Sequence, residues 1–359
     1  MRRVAFLILA GCLSCCRPPS GEQRASGRTK VIDSHVHITP TEECMERALK
    51  IFERAGVDMF CTKSAGHYGS GRFSATAAAA ARLGGRMAFF ANIDWSGFGT
   101  PGWTERELDR LEKAAAAGAR GIKIFKNLGL RVRDQDGKLV AADDPRLDPI
   151  ISKCGELGLI VAIHTADPEA FFQPPTPDNP RYLELLLAPS WSFHGKEFPS
   201  RSELLAQRNR LIERHPGTTF LGIHLANDPE HLDEVAGWLD RFPNLYVDIS
   251  ARIPEIGRHP PEQVRSFFIR YQDRILFGTD LVVSPDGLQL GSVSIFPQDD
   301  DDAVEFYRAH YRYLETYGHG LEHPTPVQGE WKVDGIALPE EVLTKIYRTN
   351  ALKLIWNRE

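Results

Sequence analysis

The chain has 359 residues, 42% of them hydrophobic and 25% charged, with 30 Gly and 24 Pro. That composition fits one enzyme-sized globular domain or two small ones, and it excludes a disordered or collagen-like chain. Net charge is -5; setting aside Arg2, Arg3, Arg17, Arg24, Arg28, Lys30 and Glu22, the part from Val31 onward holds 37 Lys+Arg against 47 Asp+Glu, or -10. So acidic a body is a poor counterion for phosphate, which argues against nucleic-acid binding.

The chain opens on Met1-Arg2-Arg3, a basic flank, followed by the short apolar run Val4 to Ala10 and then Gly11-Cys12. A positive flank before a short apolar stretch reads as an export signal, since a stable span needs roughly 20 apolar residues. The ending Leu9-Ala10-Gly11-Cys12 resembles the lipobox of bacterial lipoproteins. That resemblance implies a signal peptide over 1–11, cleavage before Cys12 and a lipid on its sulfur. Membrane contact would then run through the lipid anchor only, on the exported side of a bacterial membrane. Residues 12–30 are polar, aperiodic and Pro/Gly/Ser-containing, the composition of a flexible tether. Cys12 and Cys15 make a CxxC spacing, but no second pair follows, so a zinc ribbon is not supported. Cys44, Cys61 and Cys154 sit in apolar contexts and read as core thiols.

From Val31 the chain repeats one rhythm, an apolar run and then an amphipathic stretch. Strands are predicted at 31–37, 57–61, 87–94, 120–126, 159–165, 219–225, 244–250 and 275–280. Helices are predicted at 41–54, 104–117, 145–157, 201–214, 229–241 and 261–271, with a closing amphipathic helix over 339–356. Strands alternating with helices argue for βαβ units and a parallel sheet. Eight such units predict an α/β fold of the (β/α)₈ TIM-barrel type over residues 31–359. No glycine-rich fingerprint follows the first strand, which counts against a dinucleotide-binding fold.

Two connections exceed simple loops. One runs over 166–200 after the fifth strand; the other runs from Leu281 to about 335 after the eighth. Both follow strand C-termini, the face on which barrel enzymes build their sites, and long insertions there act as lids or substrate walls. The run Asp299 to Asp302 reads as the acidic first turn of a helix rather than a metal trap.

Five polar residues fall where an apolar barrel interior has no use for them. His35 and His37 flank Val36 on the first strand, and residues i and i+2 of a strand share a face. His164 ends the fifth strand, His224 the sixth and Asp280 the eighth. Strand ends converge at one mouth of a barrel, and imidazoles with a carboxylate are the donor set of zinc and related divalent metals. Of the chain's 12 histidines, four land at these ends, which is why the joint pattern outweighs the bland reading of any single one as a core residue.

On those motifs, His-x-His in DSHVH, histidines in AIHTAD and GIHLAN, and Asp in FGTD, the chain resembles the amidohydrolase superfamily of metal-dependent barrel hydrolases. FGTD and the closing helix with Asn350-Ala351 are most similar to its amidohydrolase-related branch, which includes lactonases, other hydrolases and non-oxidative decarboxylases. The resemblance implies one or two divalent ions (zinc, or manganese, iron or cobalt) held by His35, His37 and His164 with Asp280 nearby. His224 is then either a second-metal ligand or a polariser of the substrate carbonyl. Lys123 occupies a position similar to the lysine that some members carboxylate to bridge two metals. It could equally bind a substrate carboxylate, and Lys126 competes for either role.

The expected chemistry is attack of activated water on a C–N or C–O acyl bond of a small, anionic lactone, ester or amide, with Asp280 shuttling the proton. Arg252, in DISARI, is a candidate clamp for the substrate anion, against the alternative of a surface salt bridge. Asn227 reads as a cap for the following helix sooner than a substrate contact. His67, His194, Trp191 and Phe193 lie in loops over the mouth, while His231, His259, His310, His319 and His323 read as surface or lid residues. Two other functions compete: a metal-dependent decarboxylase of a small carboxylic acid, and a non-catalytic lipid-tethered binding protein. Serine-triad and HExxH chemistry lack their motifs. The expected partner is a small-molecule substrate, and assembly into a homo-oligomer stays open.

Overall fold

The computed structural model describes residues 29–195 and 197–358. The predicted signal over 1–11, Cys12 and nearly all of the tether lie outside the described residues. Eight parallel strands follow in order: β1 (Val31–Ile38), β2 (Val57–Thr62), β3 (Met87–Asn92), β4 (Gly121–Ile124), β5 (Ile160–Ile163), β6 (Phe220–Gly222), β7 (Leu245–Asp248) and β8 (Ile275–Leu276). Each pairs with the next. The chain past β8 then returns to β1. The Ser34 N–H donates to the Phe277 carbonyl at 3.0 Å and the Asp280 N–H to the His35 carbonyl at 2.8 Å, which closes the cylinder. The predicted (β/α)₈ barrel, with long insertions after the fifth and eighth strands, is the fold observed.

The helices form where the sequence signals their ends. Thr41 Oγ1 accepts from the Cys44 N–H, and Gly56, at φ 79°, takes the left-handed position that stops Glu42–Ala55. Asp299 caps Asp300–Glu315 in a reciprocal capping box with Asp302, so the acidic run is a helix start as expected. Cys44, Cys61 and Cys154 are buried free thiols.

The inner core is made by side chains from alternate strand positions, among them Ile32, Met59, Phe90, Ile160, Ala162 and Leu221. Ala351, Ile355 and Trp356 of the closing helix join this cluster. Trp356 Nε1 donates to the Gly85 carbonyl, just before β3, which fixes that helix under the N-terminal end of the barrel. The closing helix is not continuous. A π turn at Lys345–Thr349 interrupts it, and the Phe277 N–H donates to the Ile346 carbonyl there at 3.0 Å.

β1 carries two phases. Ile32 faces the inner core, and strict alternation would then send His35 outward. Instead the pairing with β2 slips between Asp33 and Val36. Asp33 turns to the helix layer, where Thr279 Oγ1 (2.6 Å) and the Tyr307 hydroxyl (2.7 Å) donate to it. Past the slip, His35 and His37 both face the mouth.

Two parts of the sequence reading are corrected here. The connection after the eighth strand does not begin as a loop: β9 (Leu281–Ser284) runs parallel to β1, turns at Pro285-Asp286, and returns as β10 (Gly287–Leu290). The S-P-D-G turn signal was present. His310 and His323 are buried at 0% and 3% exposure, not surface residues. His310 is one of nine buried residues of its helix, and isolated histidines give no periodicity of their own.

His310 makes a prediction. Its Nδ1 faces the Phe306 carbonyl at 2.8 Å, and burial lowers its pKa from 6.5 to about 4. Between those values the unfolded chain binds a proton that the folded chain refuses, so stability falls as pH drops through that window. From pH 7 to pH 5 the loss is about 2 kcal/mol for this one group. Urea unfolding of His310→Leu at the two pH values should show a pH dependence shallower by that amount than the parent chain; equal slopes would refute it.

Candidate functional site

The mouth is built on strained backbone. Apart from Ala337 and Asn357, every non-glycine residue with positive φ among the described residues lies just past a strand end: Ala166 after β5, His224 to Asn227 after β6, Ala251 after β7, and Asp280 after β8. Such conformations cost of order 1 kcal/mol or more each and persist where surrounding contacts enforce them. The predicted strand 219–225 therefore ends early, at Gly222, and His224 stands on a left-handed turn (φ 58°, ψ 50°). Its N–H is held by Asp248 Oδ1 at 2.9 Å.

Four of the five predicted residues converge tightly. His35 Nε2 and His37 Nε2 stand 3.2 Å apart, and Asp280 Oδ1 lies 3.4 and 3.2 Å from them. His224 Nε2 is 3.9 Å from Asp280 Oδ2. His164 meets His224 edge-on, with ring centroids 4.6 Å apart. It lines the same cavity, but its Nε2 faces Asp167 Oδ1 at 3.2 Å. The compact donor group is thus His35, His37 and Asp280, with His35, His224 and Asp248 as a second overlapping one.

Counting donors and acceptors settles the imidazoles. Asp248 Oδ2 lies 3.0 Å from His35 Nδ1, and the Ser250 carbonyl lies 2.8 Å from His224 Nδ1. Both oxygens only accept, so each Nδ1 carries the proton. Ser250 Oγ sits 2.8 and 2.9 Å from the same two nitrogens and donates its own hydrogen to Asp248 Oδ1. Each Nε2 is left with a bare lone pair aimed at the mouth. Two lone pairs and a carboxylate at this spacing repel one another unless a cation or proton lies between them, and the donor set fits a divalent metal.

The electrostatics agree. Burial, aided by Lys123, lowers the pKa of His35 to about 4, and burial does the same for His164; both imidazoles are neutral at pH 7. Burial alone would raise Asp248, but His35 and Ser250 bring it to about 2. Asp280 is likewise held below the usual carboxylate range, its burial overcome chiefly by His35 and His37.

The cavity above these groups measures 250 Å³. Lys123, Lys126 and Arg252 all line it. Lys123 is 2% exposed with no hydrogen-bond partner for Nζ among the described residues, and burial lowers its pKa to about 7. Lys126 pairs with Asp167 and lies over the Trp191 ring, 4.7 Å from its centroid. Arg252 is 5% exposed, its Nη2 3.7 Å from Asp167 Oδ1, which removes the surface salt-bridge reading. Of the loop guesses, Trp191 lines the cavity, Phe193 is buried beneath the insertion, His194 is exposed, and His67 turns to the Tyr68 carbonyl. Asn227 does not cap the following helix, which starts at Leu232 after His231; its Oδ1 accepts from the Thr165 N–H at 3.0 Å, tying the end of β6 to that of β5.

Asp248, Ser250 and Asp167 were missed. The signal for Asp248 was the same as for Asp280, an acid closing an apolar strand in NLYVDIS. Asp167, three residues after His164, had no such marker. Lys63 was also missed; it is buried past β2 with Nζ 3.5 Å from Cys61 Sγ and 3.4 Å from the centre of the Phe90 ring.

No curated protein sequence matches the chain. Among solved structures it is similar to 2,6-dihydroxybenzoate decarboxylase bound to 2,6-dihydroxybenzoate, at 16% identity over 92% of this chain and 100% of that one, with a TM-score of 0.50. It is also similar to a TatD-family hydrolase from Entamoeba histolytica (12% identity, 92% and 99% covered, TM-score 0.46) and to amidohydrolase 2 from Bifidobacterium longum subsp. infantis (15%, 70% and 83%, 0.39). At these identities the first likeness speaks to the fold alone. The amidohydrolase family model matches residues 32–355, a stretch that covers the eight barrel strands but for Val31 and every residue of the mouth, and the chain belongs to that family.

Proposed function

We propose that this protein is a metal-dependent hydrolase that cleaves a C–N or C–O acyl bond, in a lactone, ester or amide, of a small anionic substrate. The observation that carries the reading is the bare Nε2 lone pair of His35, with His37 Nε2 3.2 Å away and Asp280 Oδ1 beside both, opening on a small cavity with cationic side chains on its wall. His35, His37 and Asp280, joined by His164 or His224, would hold the ion; zinc suits this donor set, with manganese, iron or cobalt as the alternatives. A bound divalent ion supplies Lewis acidity, lowering the pKa of water to about 7 and polarising an acyl oxygen.

The chain's own groups do the rest. Asp248 and Ser250 fix the tautomers of His35 and His224. Asp280 accepts a proton from the attacking water and returns it to the leaving nitrogen or oxygen. Because His224 Nδ1 already donates to the Ser250 carbonyl, its Nε2 acts as a ligand or base and not as a donor polarising the carbonyl. Arg252 and Lys126 bind the substrate's carboxylate. Lys123 keeps the site role of either a carboxylated bridge or an anion contact. Trp191, Phe125 and Phe171 exclude water from the wall. The export signal over 1–11 and the acylation of Cys12 are part of the same proposal.

The test is metal analysis of the purified full chain together with a panel of lactones, esters, amides and carboxylic acids, scored for acid release and for carbon dioxide. Stoichiometric metal with acid release is expected. Carbon dioxide release in its place makes the protein a decarboxylase, and a metal-loaded protein with neither product, whose cellular effect survives Asp280→Asn, is a binding protein.

A further inference from the structure

The described residues contain six exposed large apolar side chains: Leu183, Leu186, Leu187, Ile295, Phe296 and Tyr317. All six fall within the two insertions, and all but Tyr317 lie on the segments next to Glu184 and Ser292 at the mouth, which makes those five one feature rather than scattered surface residues. Leu183, Leu186 and Leu187 share one face of the short helix Tyr182–Leu187 by their i, i+3, i+4 spacing. The opposite face buries Glu184 and Leu185. Ser292 Oγ donates to Glu184 Oε1 and so ties the second insertion to this helix. Both residues line the catalytic cavity. Ile295 and Phe296, 51% and 74% exposed, come three and four residues after Ser292 in the chain.

We propose that this apolar rim rests on a lipid bilayer, with the mouth of the barrel opening at the lipid–water boundary. The occupant is argued from the tether. The described chain begins at Thr29, on the N-terminal side of the barrel, where Thr29 meets Thr344 and Lys30 pairs with Asp58. The rim lies at the opposite end, about 26 Å away along β1. Residues 12–28 reach roughly 60 Å when extended, enough to pass the length of the barrel and let the mouth face the membrane that holds Cys12. The inference rests on the acyl-anchor reading for this reach.

Charge selects the kind of lipid. The body carries a net -10, and the Asp299–Asp302 run begins three residues beyond Phe296, so an anionic surface is disfavoured and a zwitterionic one fits. A second copy of this chain would also cover such a patch, and the experiment separates the two. It follows from the proposal that the substrate is one that partitions to the membrane surface, such as an amphiphilic ester or amide with a carboxylate head.

The experiment is flotation with phosphatidylcholine vesicles of the full chain carrying Cys12→Ser, which lacks the sulfur at the lipobox position, with and without Leu186→Glu and Phe296→Glu. The Cys12→Ser chain is expected to float with the vesicles, and the two further substitutions to lower that fraction about tenfold, with unchanged melting because both side chains are exposed. No flotation of the Cys12→Ser chain, or equal flotation of both, overturns the proposal. So does a dimer in sedimentation velocity that the substitutions split while flotation stays the same. Whether Cys12 carries lipid is read separately by mass spectrometry of the parent chain, so loss of the anchor reading and loss of the docking reading give different results.

Discussion

Asp280→Asn is expected to lower kcat by about 10²–10⁴-fold on whichever acyl substrate the panel identifies, the usual worth of a positioned acid–base group. The amide keeps an oxygen for His35 and His37 but can neither accept nor return a proton. The folded state should survive. Asp280 is held at φ 65° by its backbone N–H to the His35 carbonyl, and asparagine is the residue that tolerates that conformation best after glycine. Steady-state kinetics with far-UV circular dichroism and metal analysis measure the three effects apart. A variant that retains a tenth or more of parental kcat would remove Asp280 from the proton path.

His35→Ala has the second large effect, and it acts twice. The site loses the bare Nε2 lone pair of His35, which belongs to both of its donor groups, so the purified chain should carry little metal. Asp248 meanwhile keeps Ser250 and the His224 N–H but loses its contact with His35 Nδ1 at 0% exposure. An acceptor stranded in that environment, with the ring's volume left empty, costs about 3 kcal/mol. Elemental analysis and urea unfolding check the two consequences independently. Full metal occupancy in the variant would show that His37, His164 and His224 suffice, and would undo the ligand assignment.

How far the sequence could be read depended on the periodicity of each feature. The barrel was legible because eight apolar runs repeat at a spacing that only βαβ units explain, and strand existence survives small errors in strand ends. The cluster of His35, His37, His224 and Asp280 was legible because imidazole and carboxylate are out of place at the end of an apolar strand. Asp248 meets that criterion too, but a lone carboxylate closing a strand marks a site less sharply than paired imidazoles do. Ser250 and Asp167 were not legible at all: a serine ending a predicted strand and an aspartate in a loop look like any others until the backbone brings Ser250 Oγ between two imidazoles and Asp167 against His164 and Lys126. His310 failed in the opposite direction, as a polar residue without visible purpose that the fold nevertheless buries. The left-handed run from His224 to Asn227 carries no glycine, so the usual sequence marker for that conformation was missing.

The slip in β1 has a consequence for what this chain can tolerate. Upstream of Ser34 the strand serves the packing of the barrel; downstream of it the same strand serves the mouth, and one residue of offset keeps the two in step. Losing a single amino acid there would leave the upstream half seated while rotating both imidazoles half a turn, into the layer where Tyr307 now stands. Surface loops in general tolerate changes of length. Here a one-codon deletion would yield a folded barrel with an empty mouth, and any descendant that keeps the chemistry must keep the count.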